Sequence, residues 1–168
     1  SALAPLPATR AEASAVGDVV LLGADACEEM LRDALAKQRR WRSLHLACHG
    51  LVDTERPTLS SLALTATDEE DGFLTALDVS RMEIPADLAV LSACETAKGK
   101  IVKGEGIVGL TRAFMFAGAP RVICSLWKVD DEATQALMIK FYELWNPKDG
   151  KKGLGAAAAL KKAQEYVR

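Results

Sequence analysis

The chain has 168 residues, 49% of them hydrophobic and 26% charged, with a formal net charge of −2. That length suits one domain with a real core, and the near-neutral balance supplies no basic field for holding nucleic acid or an anionic membrane. No apolar run approaches the ~18–20 residues of a membrane span.

The opening Ser1-Ala2-Leu3-Ala4-Pro5-Leu6-Pro7 lacks the basic and long apolar regions of a secretory signal. It reads as a point inside a longer chain. Pro7 to Val16 reads as a helix ended by Gly17. Asp18 to Gly23 reads as a short strand. Asp25 is expected to cap the next helix, with Glu28 three residues on as in a capping box. Met30, Leu31, Ala34 and Leu35 then give a helical stripe to about Gln38.

Ser43 to Cys48 is a compact apolar strand, followed at once by His49 and Gly50. A loop with Pro57 leads to residues 61–75, whose alternation around an acidic turn predicts a small hairpin. Thr75 can cap a short helix to about Arg81. Residues 88–92 form a second buried strand, leading through Ala93 to Cys94, with a glycine-containing loop expected over 93–103. A helix from about Gly104 to Gly118 carries Ile107, Leu110, Phe114 and Met115 on one face. Arg121 to Trp127 is a third buried strand. Asp130 or Asp131 caps a helix to about Trp145, and a last helix begins near Leu154. Strands alternating with helices predict an α/β fold with a mostly parallel sheet covered on both faces.

Two of these strands lead into reactive side chains, His49 and Cys94. In open α/β sheets, ligands bind beyond the carboxyl ends of parallel strands. If the two strands are neighbours, an imidazole and a thiol reach one crevice, as a cysteine nucleophile with a histidine partner requires. Taken singly, each residue also suits a structural role, because free cysteine is among the most buried residue types. Cys48 points away from His49 by strand alternation and reads as core, as does Cys124 in its apolar run. Cys27 sits in a first helical turn, and His45 reads as a hydrogen-bonded core residue. The four cysteines are widely spaced, with no C-x-x-C pair. That argues against a metal site or a disulfide framework and suits reduced thiols in the cytoplasm. Gly104-Glu105-Gly106-Ile107-Val108-Gly109 is a literal G-x-G-x-x-G, but no strand precedes it directly, so its dinucleotide reading lacks the required context.

With these residues in place, the chain resembles the CHAT domain. This family is caspase-like and belongs to the clan CD cysteine peptidases, which include separase and caspases. The resemblance rests on five blocks in family order. They are His45-Leu46-Ala47-Cys48-His49-Gly50, Asp71-Gly72-Phe73-Leu74-Thr75-Ala76, Leu91-Ser92-Ala93-Cys94-Glu95-Thr96-Ala97, Gly104-Glu105-Gly106 with Leu110-Thr111-Arg112-Ala113-Phe114, and the stretch from Ala117-Gly118-Ala119 through Ser125-Leu126-Trp127-Lys128-Val129-Asp130-Asp131. It implies a caspase-like three-layer α/β/α sandwich over residues 1–168 as one domain, with a small hairpin after the histidine strand. The activity implied is that of a cysteine endopeptidase with a dyad of His49 and Cys94, the amides of Gly50 and Cys94 forming the oxyanion hole. Asp130, Asp131, Trp127 and Glu95 would contact the substrate, the acidic pair suggesting a basic residue before the cut and the nearby Trp127 and Leu126 an apolar one as the alternative. No metal or cofactor is implied. The implied partners are a protein or peptide substrate and an attached tetratricopeptide-repeat or other sensor region, with no nucleic acid and no membrane. Cys48 departs from the Thr or Ser common in the family, and the final strand usual in the family is expected to be missing. An inactive dyad in a protein-interaction module is the alternative.

Overall fold

The computed structural model describes residues 3, 6–95, 105–125 and 130–167, with side chains at all of these but 94, 95, 105 and 106. Helix α1 spans Pro7–Val16 with proline in its first turn and Gly17 at its end, as the sequence predicts. The strand expected over 18–23 does not form. Val19 and Val20 are 52% and 37% exposed, so although Leu21 packs against the core the alternation has no continuous buried face, and a 3-10 turn over Gly23–Asp25 ends the stretch. Helix α2, Glu28–Ala36, therefore starts later than expected, with buried Cys27 at its N-cap and no side-chain cap. Asp25 is held in the turn and does not cap it.

The strands are β1 (Leu44–Leu51), β2 (Ser61–Ala63), β3 (Phe73–Thr75), β4 (Ala89–Glu95) and β5 (Val122–Cys124). They form one sheet in the order β3-β2-β1-β4-β5. β1, β4 and β5 run parallel, and the β2–β3 hairpin is added antiparallel to β1. This is the expected α/β class, with a mostly parallel centre and a small hairpin after the histidine strand. β5 leaves out Arg121 and Ser125 of the predicted strand, Leu126 and Trp127 lie outside the described residues, and Val122, Ile123 and Cys124 are only half-buried. Both central strands outrun their predicted ends, because each keeps a paired neighbour past the apolar run. β1 pairs with β4 through Gly50 and with β2 through Leu51.

One face of the sheet carries Leu44, Leu46 and Cys48 from β1, Ala89, Leu91 and Ala93 from β4, and Leu62 and Leu74 from the hairpin. Leu31 and Leu35 of α2 pack into the same core. So do Ala76 and Val79 of α3 (Ala76–Arg81) and Leu110, Ala113 and Phe114 of α4 (Glu105–Phe116). Met115, predicted for the buried stripe of α4, is instead 52% exposed. Ala113 takes its place, since Leu110, Ala113 and Phe114 follow the i, i+3, i+4 spacing of one helical face. Gly118 lets the chain turn after α4 at φ +121°, where a Cβ would lie 2.9 Å from the Ile84 carbonyl oxygen.

Helix α3 has the cap that its sequence predicts. Asp78 N donates to Thr75 Oγ1 at 3.1 Å, and Thr75 N donates back to Asp78 Oδ2 at 3.1 Å, a reciprocal capping box. Thr75→Ala is expected to destabilise the protein by about 1 kcal/mol, seen as a lower urea midpoint at unchanged slope. Thr75→Ser should stay close to the parent.

The chain forms two compact units, one made of residues 21–128 and holding the sheet, the other of residues 1–20 and 129–168. In the second unit α1 and α6 (Ala156–Tyr166) pack on α5 (Asp131–Trp145). Helix α5 buries Thr134, Met138, Phe141, Tyr142 and Trp145, a stripe of helical period. The Phe141 ring stacks on Trp145 with centroids 5.6 Å apart.

Candidate active site

Register brings the two reactive residues together. β1 and β4 are adjacent and parallel, and His49 pairs directly with Cys94. Alternation along each strand assigns the faces. Leu44, Leu46 and Cys48 belong to the core side, so His45, Ala47 and His49 fall on the opposite face. The partners of those three in β4 are Val90, Ser92 and Cys94, which places the positions of His49 and Cys94 on one face.

On that face Val90 and Ser92 of β4 are 1% and 8% exposed, whereas His45, Ala47 and His49 of β1 are all half-buried. The hairpin continues the row outward, with Ala63 opposite His49 and Phe73 opposite Ala63. Exposure increases along it, from half-buried His49 and Ala63 to exposed Phe73. Nothing in the local sequence marks Ala63 or Phe73 as members of this row. The alternation of residues 61–65 predicts a hairpin, but the face of each residue depends on a register that alternation leaves open.

Gly50 is buried and lies inside the ladder, opposite Glu95 on one side and Leu62 on the other. Glu95 thus takes part in the sheet as backbone. Trp127 lies outside the described residues, as do residues 96–103 of the expected loop and Gly104. Asp130 and Asp131 belong to the second unit. Asp130 is the N-cap of α5, its Oδ1 accepting from Ala133 N at 3.0 Å, while its carbonyl oxygen accepts from Thr134 Oγ1 at 2.7 Å. Asp131 is the first residue of that helix.

Gly109, the last glycine of the G-x-G-x-x-G string, serves packing. Helix α4 already runs from Glu105, so Gly109 lies within it. A Cβ there would approach the Pro57 carbonyl oxygen to 3.1 Å. Gly109 lets α4 pack closely on the 3-10 turn at Pro57–Leu59.

The remaining thiols sit apart from this row. Cys27 is buried at the start of α2, and Cys48 and Cys124 pack against the core. Although Cys48 is only partly buried as a residue, desolvation pushes its thiol up to about 12, against a weaker lowering by the Ala63 backbone. Burial raises the Cys124 thiol as well. At pH 8, roughly one Cys48 thiol in 10⁴ is ionised, which keeps it inert toward electrophiles. The raised value also gives a pH dependence. Folding favours the protonated thiol, so this contribution is intact below the ordinary thiol value of 9.0 and is lost as pH rises toward about 12. Cys48→Ala is expected to flatten the fall in melting temperature across that alkaline range.

Among the described residues, no group of three His, Cys, Asp or Glu is placed to hold a metal ion. No described helix is long and apolar enough to cross a membrane.

Comparison with known proteins gives a family and two relatives. The model of the CHAT domain matches residues 1–168. Tetratricopeptide repeat protein 28 from Homo sapiens is 38% identical over 96 residues, covering 56% of this chain and 4% of that protein. The Mus musculus protein of the same name matches to the same extent. The matched segment is thus a small part of much longer relatives.

Proposed function

This chain belongs to the CHAT domain family, and from that premise we propose that it is a cysteine endopeptidase working through a dyad of His49 and Cys94. The observation that carries the proposal is the parallel register that sets these two residues opposite each other. The Cys94 thiolate attacks the carbonyl carbon of a peptide bond, forming a C–S bond as the carbonyl π pair moves onto oxygen. The amides of Gly50 and Cys94 are the proposed donors to that oxyanion. As the carbonyl re-forms, the C–N bond breaks and His49 gives its proton to the departing nitrogen. Water, losing a proton to His49, then attacks the thioester, freeing the acid and the thiol.

For the residue before the cut, the proposal follows the family resemblance in taking a basic side chain, drawn by the acidic pair Asp130 and Asp131, with Trp127 and Glu95 as further contacts. Its substrate is a protein or peptide. Because the two relatives are tetratricopeptide repeat proteins, a repeat region in the full-length protein is the proposed sensor controlling cleavage.

The experiment is digestion of a peptide library by the parent chain and by Cys94→Ala, with cut sites read by mass spectrometry. Cuts made only by the parent support the dyad. Equal cutting by both proteins rules it out.

A further inference from the structure

The aromatic ring at the outer end of the dyad row has no part in the chemistry proposed so far. Phe73 is 42% exposed on β3, an edge strand, where a bare apolar side chain invites mispairing. Its backbone is tightly held. Asp71 Oδ1 accepts from Phe73 N at 2.9 Å, and Leu64 N donates to the Gly72 carbonyl at 2.7 Å. Gly72 turns at φ +79°, where a Cβ would lie 2.8 Å from the Leu64 carbonyl oxygen. Register then sets Phe73 beside Ala63, and Ala63 beside His49. Between an imidazole and a phenyl, the methyl of Ala63 leaves a recess on the sheet.

The reaction gives that recess a direction. With the scissile carbonyl carbon at Cys94, the scissile nitrogen must lie toward His49 to receive its proton. The step from that carbon to that nitrogen is also the forward direction of the substrate chain. The segment after the cut therefore crosses β1 and β2 toward β3, passing over Ala63 to Phe73. Cys94 and Phe73 are three strand spacings apart, roughly 14 Å. Allowing for the reach of the ring, that is roughly two to four extended residues at ~3.4 Å each.

We infer that Phe73 is a specificity-determining residue, forming with Ala63 an apolar subsite for a large apolar side chain on the departing side of the substrate. The inference rests on the dyad reading given above. Its sequence signature is the Asp71-Gly72-Phe73 turn, which fixes an exposed ring in a register that aligns it with the histidine.

The test uses the intact chain and pairs of peptides identical before the cut. In each pair, the second to fourth positions after the cut carry either leucine or serine. The parent is expected to favour the leucine peptides about tenfold or more in kcat/KM. Phe73→Ser should bring that ratio near one, and Phe73→Leu should keep most of it. Ala63→Leu, which fills the recess from its floor, should also abolish the preference and serves if Phe73→Ser does not fold. Equal discrimination by the parent and by Phe73→Ser or Ala63→Leu, or no discrimination by the parent, overturns the subsite and leaves the dyad standing. A parent chain that cleaves no peptide, and whose Cys94 reacts with a peptide electrophile no faster than Cys27, overturns the dyad and the subsite together.

Discussion

Cys94→Ala is expected to lower peptide cleavage by at least ~10⁴-fold, or roughly 5.5 kcal/mol of transition-state stabilisation. The size follows from what the thiol does in the proposed mechanism. Without it no C–S bond forms, and only oxyanion stabilisation and substrate positioning remain, acting on a water molecule that is not held for attack. His49→Ala should fall to nearly the same floor, because the thiol and the imidazole act as one unit. For the same reason the double variant should be little worse than either single one. Losses that multiply would indicate two independent contributions and would count against a dyad. Initial rates on one cleaved peptide supply the comparison, with circular dichroism confirming that each variant is folded. His49→Gln tests whether the imidazole must accept and release a proton. Glutamine can hydrogen-bond near the thiol but cannot shuttle a proton, so it should not restore the rate.

The parts of the fold legible in the sequence were those with strong local signals. Pro7 and Gly17 bracket α1, Thr75 caps α3, and Asp130, one of the two acidic candidates, caps α5. Each is a short-range pattern that depends little on tertiary context. The apolar runs at 44–48 and 88–92 located the two central strands, but not their ends. His49, Gly50 and Leu51 extend β1 because β2 and β4 offer them partners, and no window of local sequence contains those partners. Asp18 to Gly23 failed in the opposite way. It has the composition of a strand, but Val19 and Val20 stay exposed and no ladder receives them, since strand preference depends on context. At the candidate site, His49 and Cys94 stood out as residues that end apolar strands, but their alignment did not. Phe73 was readable as part of a hairpin, but its place in the row through His49 depends on two successive antiparallel registers.

Phe114→Ala is expected to destabilise the protein by about 3–5 kcal/mol. Phe114 has 0% exposure and belongs to the core that joins α2, α3 and α4 to the sheet. Removing its ring leaves a cavity that neighbours such as Ala113 and Ala119 are too small to fill. The backbone there is also anchored, with Ala119 N donating to the Phe114 carbonyl at 3.1 Å, so the end of α4 cannot easily slump into the space. Against a total stability of about 5–15 kcal/mol for an ordinary domain, this loss is a large share. Urea unfolding should show a lower midpoint at an unchanged slope. Met115→Ala, one residue on, supplies the contrast. Its side chain is 52% exposed, and alanine is the stronger helix former, so its effect should stay within about 0.5 kcal/mol. Helix propensity would move both variants in the same favourable direction, so a large loss confined to Phe114 isolates the packing of α4 against the sheet. Comparable losses at both positions would mean that α4 presents a different face to the core than the one carrying Leu110, Ala113 and Phe114.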